Sequence, residues 1–350
     1  MLIIHVADLH LGASPDSGEP WGEERKKELW ESFERLLDAA EKEKADLLLI
    51  AGDLFHRPPL LRELREVNAL FEMLSKTKVV LMAGNHDFAG THSFYHKFSW
   101  AENVYFLGTG ELDKVVLKEL QTEVYGISYH KKEIRERIYD NLRPEDNGYY
   151  HVLLAHGGDE KHIPFSKERL QKSGFDYMAF GHIHNPGMIL PGRAVMAGSL
   201  EPLENTEEGV HGYVRVKTEH GKQDIALVPF ACRAYITLEV EVTPEDTVAS
   251  LFSRLKNCIE ESGEENIYSV VFRGKKNEHL ELMEAKLKSA GNIRKIIDET
   301  EKDFDYEMLK THYQGRLLQR YIDSFADADT VVEKRALEIG TEAILEVLGR

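Results

Sequence analysis

Five short polar segments of the sequence contain residue types that could do chemistry together. Each directly follows an apolar run, and they read Asp8-Leu9-His10, Gly52-Asp53-Leu54-Phe55-His56, Gly84-Asn85-His86-Asp87, His156-Gly157 and Gly181-His182-Ile183-His184. A single segment of this kind is most often a turn or a helix cap. Five of them in order, all at predicted strand ends, are hard to explain as caps, so we expect them to form one site.

The carboxylate, amide and imidazole groups of these segments are typical metal ligands. Residues two apart on an extended chain point the same way, so Asp8 and His10 can converge, and so can His182 and His184. Such ligands without a thiolate favour manganese, iron or zinc over calcium. Two cations about 3.5–4 Å apart need a shared anionic ligand, and the two oxygens of Asp53 make it the natural bridge.

The elements that must position these residues are short apolar strands and amphipathic helices. Strands are predicted at 2–7, 47–51 and 79–83, with helices at 22–44 and 60–74 between them. Further strands are predicted at 123–127, 150–155, 177–180, 194–197, 212–216 and 225–228. This order predicts an α/β fold with a two-sheet layered core. In open α/β sheets, ligands bind at the carboxyl ends of the strands, where the five segments lie.

The pattern changes near residue 230, which predicts a domain boundary. Residues 1–230 would form the domain that does the chemistry, because 14 of the 16 histidines precede residue 221. Residues 231–350 would form a smaller α+β domain. Its predicted elements are strands at 235–242, 267–272 and 293–297, and helices at 248–259, 280–289, 306–325 and 331–348.

Composition limits the class of protein. The chain has 350 residues, of which 42% are hydrophobic and 30% charged, as in a soluble globular protein. No apolar run approaches the roughly 20 residues of a membrane span. Two cysteines, Cys232 and Cys258, exclude a disulfide framework, so a cytoplasmic location is the default expectation. The formal charge of -17 argues weakly against nucleic-acid binding.

The five segments resemble the signature of the calcineurin-like metallophosphoesterases over about two-thirds of the chain. The resemblance implies two divalent metal ions that activate water to attack a phosphoester. His86 would face the substrate phosphate, and Asp87 would orient and support His86. The implied ligands are Asp8, His10, Asp53 and His184 for one ion, and Asp53, Asn85, His156 and His182 for the other.

The segment after Asp53 narrows the resemblance. Protein phosphatases of the superfamily have an Asp-Arg pair at this place, whereas this chain has His56-Arg57 followed by two prolines. This segment is similar to the corresponding segment of the SbcD nucleases, also called the meiotic-recombination-eleven family. Proteins of that family carry an α+β capping domain. The resemblance implies that His56 helps to position DNA, although His56 could instead only cap the next helix. Arg57, next to the site, would contact phosphate.

The resemblance implies a DNA exonuclease, and in addition a single-strand endonuclease, that acts in double-strand-break repair with an SbcC-like ATPase. Manganese is the favoured metal. The alternatives are a small-molecule or nucleotide phosphodiesterase or phosphatase, and a non-catalytic scaffold for the ATPase.

Several other features leave more than one interpretation open. The apolar stripe at 64–71 is favoured as core, although it could form a homodimer seam. Arg273, Lys275 and Lys276 are weak candidates for phosphate contacts, since such charge runs are usually solvated surface. His130 follows a predicted strand and has no assigned role.

Overall fold

The computed structural model describes residues 1–219 and 221–348. The chain divides into two compact units, Met1–Tyr235 and Ile236–Arg350. The division lies five residues beyond the boundary at 230/231 that the change of sequence pattern predicts.

The first unit contains two six-stranded sheets. Its helices are α1 (Gly22–Glu43), α2 (Leu61–Glu72) and α3 (Lys167–Gln171). Its strands are β1 (Leu2–Val6), β2 (Leu47–Ala51), β3 (Lys78–Met82), β4 (Val104–Phe106), β5 (Asp113–Leu117), β6 (Thr122–Gly126), β7 (Tyr150–His156), β8 (Tyr177–Gly181), β9 (Gly187–Leu190), β10 (Ala194–Met196), β11 (Gly212–Glu219) and β12 (Lys222–Pro229).

Parallel strands form the centre of each sheet. The first sheet has the order β12-β11-β1-β2-β3-β4, and β1 to β4 run parallel. The second sheet has the order β5-β6-β7-β8-β10-β9, with β6, β7, β8 and β10 parallel. The carboxyl ends of the parallel strands therefore meet at one edge of each sheet.

The strands are short apolar runs because both of their faces are buried. On β2, Leu48 and Ile50 pack in the core that includes α1 and α2, whereas Leu47 and Leu49 pack in the core shared by the two sheets. This alternation places one sheet against the other, with helices on the outer side of the first sheet. The predicted two-sheet layered α/β fold is confirmed.

The stripe on α2 belongs to this core. Leu64, Val67 and Phe71 are fully buried, as the favoured interpretation of the stripe predicts. These side chains are therefore unavailable as a homodimer seam.

Three strands were not predicted from the sequence. They are β4, β5 and β9, and each lies at the edge of a sheet. Edge strands are short and only partly covered, so they lack a continuous apolar run. On β9, for example, Gly187 and Met188 are exposed.

The second unit combines a three-stranded sheet with helices. The sheet has the order β13 (Tyr235–Val242), β14 (Ile267–Asn277) and β15 (Ile293–Asp303). The helices are α4 (Val248–Ser262), α5 (Glu284–Lys288), α6 (Tyr306–His312), α7 (Leu317–Asp323) and α8 (Val331–Val347). Val240, Leu251 and Phe272 lie in the core between α4 and the sheet. The second unit therefore has the α+β composition that the sequence predicts for the C-terminal residues.

One predicted helix of this unit was wrong. The pattern at 306–325 predicts a single helix, but α6 ends at His312 and α7 begins at Leu317. Gly315 in the interruption has a φ of 76°, a left-handed value that ends a right-handed helix. No helix among the described residues is long and apolar enough to cross a membrane.

Candidate metal centre

The five polar segments come together at the carboxyl ends of strands from both sheets. Asp8, Asp53 and Asn85 follow β1, β2 and β3, while His156 ends β7 and His182 follows β8. Among the described residues, four groups of three side chains have possible ligand atoms within 4.8 Å of one another. Two contain predicted ligands only, and they are Asp8 with His10 and His184, and Asp8 with Asp53 and His156. The other two are His10 with His56 and His86, and His182 with Asp159 and His162. The tertiary fold therefore brings together residues that are up to 176 positions apart in the sequence.

Several of these residues have unusual backbone conformations. The φ values of Asp8, His10, Asp53 and His182 are 51°, 46°, 51° and 103°. They are half of the eight non-glycine residues with positive φ in the described chain. Each such conformation costs of the order of 1–3 kcal/mol and tends to cluster at functional sites. The sharp turns direct these side chains towards one another immediately after the strands.

Two glycines make room for the ligand groups. A Cβ atom at Gly52 would collide with the imidazole of His156, and one at Gly84 would collide with the carboxylate of Asp53. Gly52 also has a φ of 86°, which side chains rarely adopt. Any larger residue at either position would displace a predicted ligand.

The first predicted ligand set includes a carboxylate oxygen without a hydrogen-bond partner. Nε2 of His10 lies 3.1 Å from Nε2 of His184 and 3.8 Å from Oδ2 of Asp53. Asp8 is fully buried, and its Oδ1 has no hydrogen-bond partner. A buried carboxylate oxygen without a donor is costly unless a cation neutralises it, so the residues fit a divalent metal ion.

The second predicted set centres on the amide of Asn85. Its Oδ1 lies 2.8 Å from Nε2 of His156 and 2.9 Å from Nδ1 of His182. The other ring nitrogens donate protons, from His156 to the carbonyl of Ala51 at 2.8 Å and from His182 to Asp159 at 2.9 Å. In the neutral imidazoles, lone pairs therefore face the amide oxygen, and a metal cation bound between these three groups would stabilise this arrangement.

Asp53 lies between the two sets. Its Oδ1 accepts the backbone N–H of His86 at 2.8 Å. Its Oδ2 lies 3.4 Å from Nε2 of His156 and 3.8 Å from Nε2 of His10, one residue from each set. This central position fits the bridging role predicted for Asp53.

The charges of the cluster shift its pKa values. Burial disfavours the charged form of His156, but Asp53 outweighs this effect and raises the pKa of His156 to about 9. Burial also opposes protonation of His184, yet the hydrogen bond to Glu207 and the charge of Asp8 raise its pKa to about 9. Without metal, both imidazoles are therefore protonated at neutral pH and stand where a cation would bind.

His86 and His56 lie beside the ligands and reach towards solvent. The ring of His86 is half-buried, 4.8 Å from the ring of His10 and 5.3 Å from the stacked ring of His56. His56 is exposed, with its Nδ1 3.2 Å from Nδ1 of His10. The side chain of Glu63, rather than His56, caps α2 by accepting the N–H of Leu60 at 2.8 Å.

Arg57 is half-exposed and already paired. Its guanidinium donates to both carboxylate oxygens of Glu63, at 2.7 and 3.1 Å. A substrate phosphate would therefore compete with Glu63 for Arg57. His130, which had no assigned role, is exposed.

Asp87 does not contact the side chain that it is predicted to support. Its carboxylate accepts the N–H of Gly84 at 2.7 Å, the N–H of Phe55 at 3.2 Å and the hydroxyl of Tyr95 at 2.9 Å. Among the described residues, none of its hydrogen bonds goes to His86. Burial and the nearby Asp53 raise the pKa of Asp87 to about 7. Asp87 instead ties the loop after β3 to the segment after β2.

Two carboxylates behind the cluster were missed from the sequence. Asp159 accepts a hydrogen bond from His182 at 2.9 Å, and Glu207 accepts one from His184 at 2.8 Å. Asp159 follows His156 by three residues, which is the only sequence signal for it. Glu207 lies in an acidic loop together with Glu204, and nothing in the sequence distinguishes the two.

Comparisons with known proteins identify the family of the chain and several of its relatives. The family model described as calcineurin-like phosphoesterase matches residues 1–186, which is more than half of the chain. The chain is 28% identical over 284 residues to the "Uncharacterized metallophosphoesterase YhaO" of Bacillus subtilis, covering 73% of this chain and 67% of the relative.

Two archaeal relatives have a described role in their names. The "DNA double-strand break repair protein Mre11" of Methanocaldococcus jannaschii is 26% identical over 279 residues, covering 74% of each chain. Its namesake in Aeropyrum pernix is 31% identical over 234 residues, covering 60% of this chain and 56% of the relative. The predicted homology to these proteins is confirmed. On the extent of the family match, the chain belongs to the calcineurin-like phosphoesterase family.

Proposed function

We propose that this protein is a two-metal phosphodiesterase that cleaves DNA, as an exonuclease and as an endonuclease on single strands. The observation that carries the proposal is the convergence of Asp8, His10, Asp53, Asn85, His156, His182 and His184 beside two imidazoles that reach solvent. Such a site can hold cations while leaving room for a phosphodiester at its open side.

The metal ions, when bound, would supply an activated water and neutralise charge on the phosphoryl oxygens. The protein residues do the rest. Asp53 fixes the backbone of His86, so the imidazole of His86 stays at the rim of the site. From there His86 would give a proton to the leaving oxygen or stabilise its charge. Stacking on His56 holds the orientation of the His86 ring.

DNA is favoured as the substrate because two kinds of support agree. The His56-Arg57 segment lies exposed beside the predicted site, where it could meet a continuous strand. Relatives that align with most of this chain carry the name of DNA double-strand break repair proteins. We further propose manganese as the metal, a cytoplasmic location and an SbcC-like ATPase as partner. In this proposal residues 1–230 form the nuclease domain and 231–350 a capping domain.

A nuclease assay with Mn²⁺ tests the proposal. The wild-type chain should degrade single-stranded DNA in preference to bis-(p-nitrophenyl) phosphate and cyclic nucleotides. Arg57→Ala should raise the KM for DNA more than the matched variant Arg62→Ala, which changes an exposed arginine on α2. Turnover of the small substrates without cleavage of DNA would overturn the nuclease assignment in favour of a small-molecule phosphodiesterase. If the wild-type chain turns over none of these substrates, the result would favour the alternative of a non-catalytic scaffold for the ATPase.

A further inference from the structure

The two histidines of the 181–184 segment each have a carboxylate behind them. Nδ1 of His184 lies 2.8 Å from Oε1 of Glu207, and Nε2 of His182 lies 2.9 Å from Oδ2 of Asp159. The nitrogens that face the ligand cluster are therefore different in the two residues. His184 presents Nε2 to His10, whereas His182 presents Nδ1 to Asn85.

A carboxylate can only accept a hydrogen bond, so it holds the proton on the ring nitrogen next to it. The lone pair is then left on the opposite nitrogen, which is the one that can bind a metal ion. The negative charge also strengthens the donation of that lone pair, as in other carboxylate–histidine–metal arrangements. We propose that Glu207 and Asp159 are positioning residues, each of which selects the metal-binding nitrogen of one histidine.

Glu207 is built into the structure for this role. It is only 6% exposed, and its second oxygen accepts the N–H of Leu203 at 2.9 Å and the hydroxyl of Ser199 at 3.1 Å. These bonds fix the carboxylate before any metal binds. Because little water reaches Glu207, its charge acts on His184 with little screening.

Asp159 is less enclosed and has more partners. Its side chain is 44% exposed, and it also accepts from the backbone N–H groups of Lys161 and His162 and from Nδ1 of His162 at 2.9 Å. Water and a second imidazole therefore share its charge. The hydrogen bond from His182 to Asp159 should therefore contribute less to metal affinity than the hydrogen bond from His184 to Glu207.

Glu207 and Asp159 can act in this way only if the proposed metal ligands are correct, but DNA need not be the substrate. The experiment is a calorimetric titration of the metal-free full chain with Mn²⁺ alone. Binding of two ions by the wild type tests the ligands, and failure of that step overturns the proposed function before any variant is compared.

The variants then test the positioning carboxylates. Glu207→Gln should weaken the binding of one Mn²⁺ ion by about 10- to 100-fold, the usual effect of losing such a partner. Asp159→Asn should weaken the binding of the other Mn²⁺ ion by about 10-fold, at the lower end of that range. The exposed neighbours provide matched controls, since Glu204→Gln and Glu160→Gln remove the same charge from the same loops and should leave both affinities unchanged.

A double-mutant cycle separates positioning from general destabilisation. In a His184→Ala background, Glu207→Gln should have no further effect on Mn²⁺ affinity, whereas in a His182→Ala background it should keep its full effect. Asp159→Asn should show the reverse pattern. Affinities within twofold of wild type for Glu207→Gln, or equal losses in both backgrounds, would overturn the proposal. So would a third Mn²⁺ ion that Asp159→Asn removes, because Asp159 would then itself be a ligand.

Discussion

The unit that ends at Tyr235 and the unit that begins at Ile236 place their charged groups differently. In the first, Asp8, Asp53 and His156 are at most 1% exposed and face one another. In the second, the basic residues lie at the surface, where Arg273 pairs with Glu239 and Glu299, at 2.8 and 2.9 Å. Lys276 pairs in the same way with Asp298 at 2.5 Å, and Lys275 lies 3.8 Å from Asp303.

The difference shows which charged groups destabilise the fold unless a ligand binds to them. Burying a carboxylate without a donor costs several kcal/mol unless a cation compensates it. Exposed ion pairs, in contrast, contribute about 0–1 kcal/mol and are screened by salt. The buried cluster is therefore the better marker of function. Arg273, Lys275 and Lys276 already have acidic partners, which leaves little net positive charge around them for a phosphate backbone.

The largest expected effect comes from Asp53, between the two ligand sets. Asp53→Asn removes the charge that both sets share, so we expect loss of at least one bound Mn²⁺ ion. A single acid–base residue contributes about 10²–10⁴-fold to the rate, and the loss of phosphodiesterase activity in Asp53→Asn should be larger than that. Calorimetry with Mn²⁺ and turnover of bis-(p-nitrophenyl) phosphate measure both effects, with Asp38→Asn on the exposed face of α1 as the control. Normal binding of both ions by Asp53→Asn would contradict the bridging role.

His86 should separate metal binding from chemistry. His86→Ala should lower cleavage by about 10²–10⁴-fold, because the leaving oxygen loses its proton donor. Mn²⁺ affinity should stay near that of the wild type, because His86 donates to Asp53 from its backbone N–H, which the substitution keeps. The control is His92→Ala, which alters an exposed imidazole six residues away. Loss of the metal in His86→Ala would show that His86 is itself a ligand.

The apparent affinity for Mn²⁺ should rise with pH. The pKa values of His156 and His184 are about 9 without metal, and both imidazoles must lose a proton to bind a metal ion. Protons compete with the metal below that pH, so affinity should rise by up to roughly tenfold per pH unit for each proton displaced. Calorimetry in buffers of different ionisation enthalpy counts the released protons. An affinity that is constant from about pH 6.5 to 8.5 would exclude this competition.

The smallest effect is expected in the second unit. Arg273→Ala combined with Lys276→Ala removes two basic residues that already pair with carboxylates, and the side chain of Lys276 is only 14% exposed. DNA affinity should therefore stay within about twofold at physiological salt. A fluorescence-anisotropy titration with labelled single-stranded DNA measures this. A loss of tenfold or more would make these residues part of a DNA-binding surface and weaken the contrast between the units.

The candidate ligands could be predicted because each one lies at the end of a buried strand or just after it. An apolar run such as Leu47–Ala51 has few other uses, and a Gly-Asp pair directly after it is placed at the sheet edge by the strand itself. The helix boundary near His312 could not be predicted in the same way. The apolar spacing continues through the interruption, and only the left-handed backbone at Gly315 reveals that the helix ends.

The contacts between distant segments were decided by the tertiary structure. Asp87 stands next to His86 in the sequence, which suggested a partnership, yet its carboxylate turns to Phe55 and Tyr95 instead. Glu207 and Glu204 share one loop, but only Glu207 is buried against His184.

The sequence by itself determined most of the central strands, the residue types of the candidate site and the family, because these depend on local patterns of apolar and polar residues. The tertiary structure decided which nitrogen of each histidine faces the cluster and which carboxylates stand behind it. Those choices depend on packing between segments far apart in the chain, which no local pattern records.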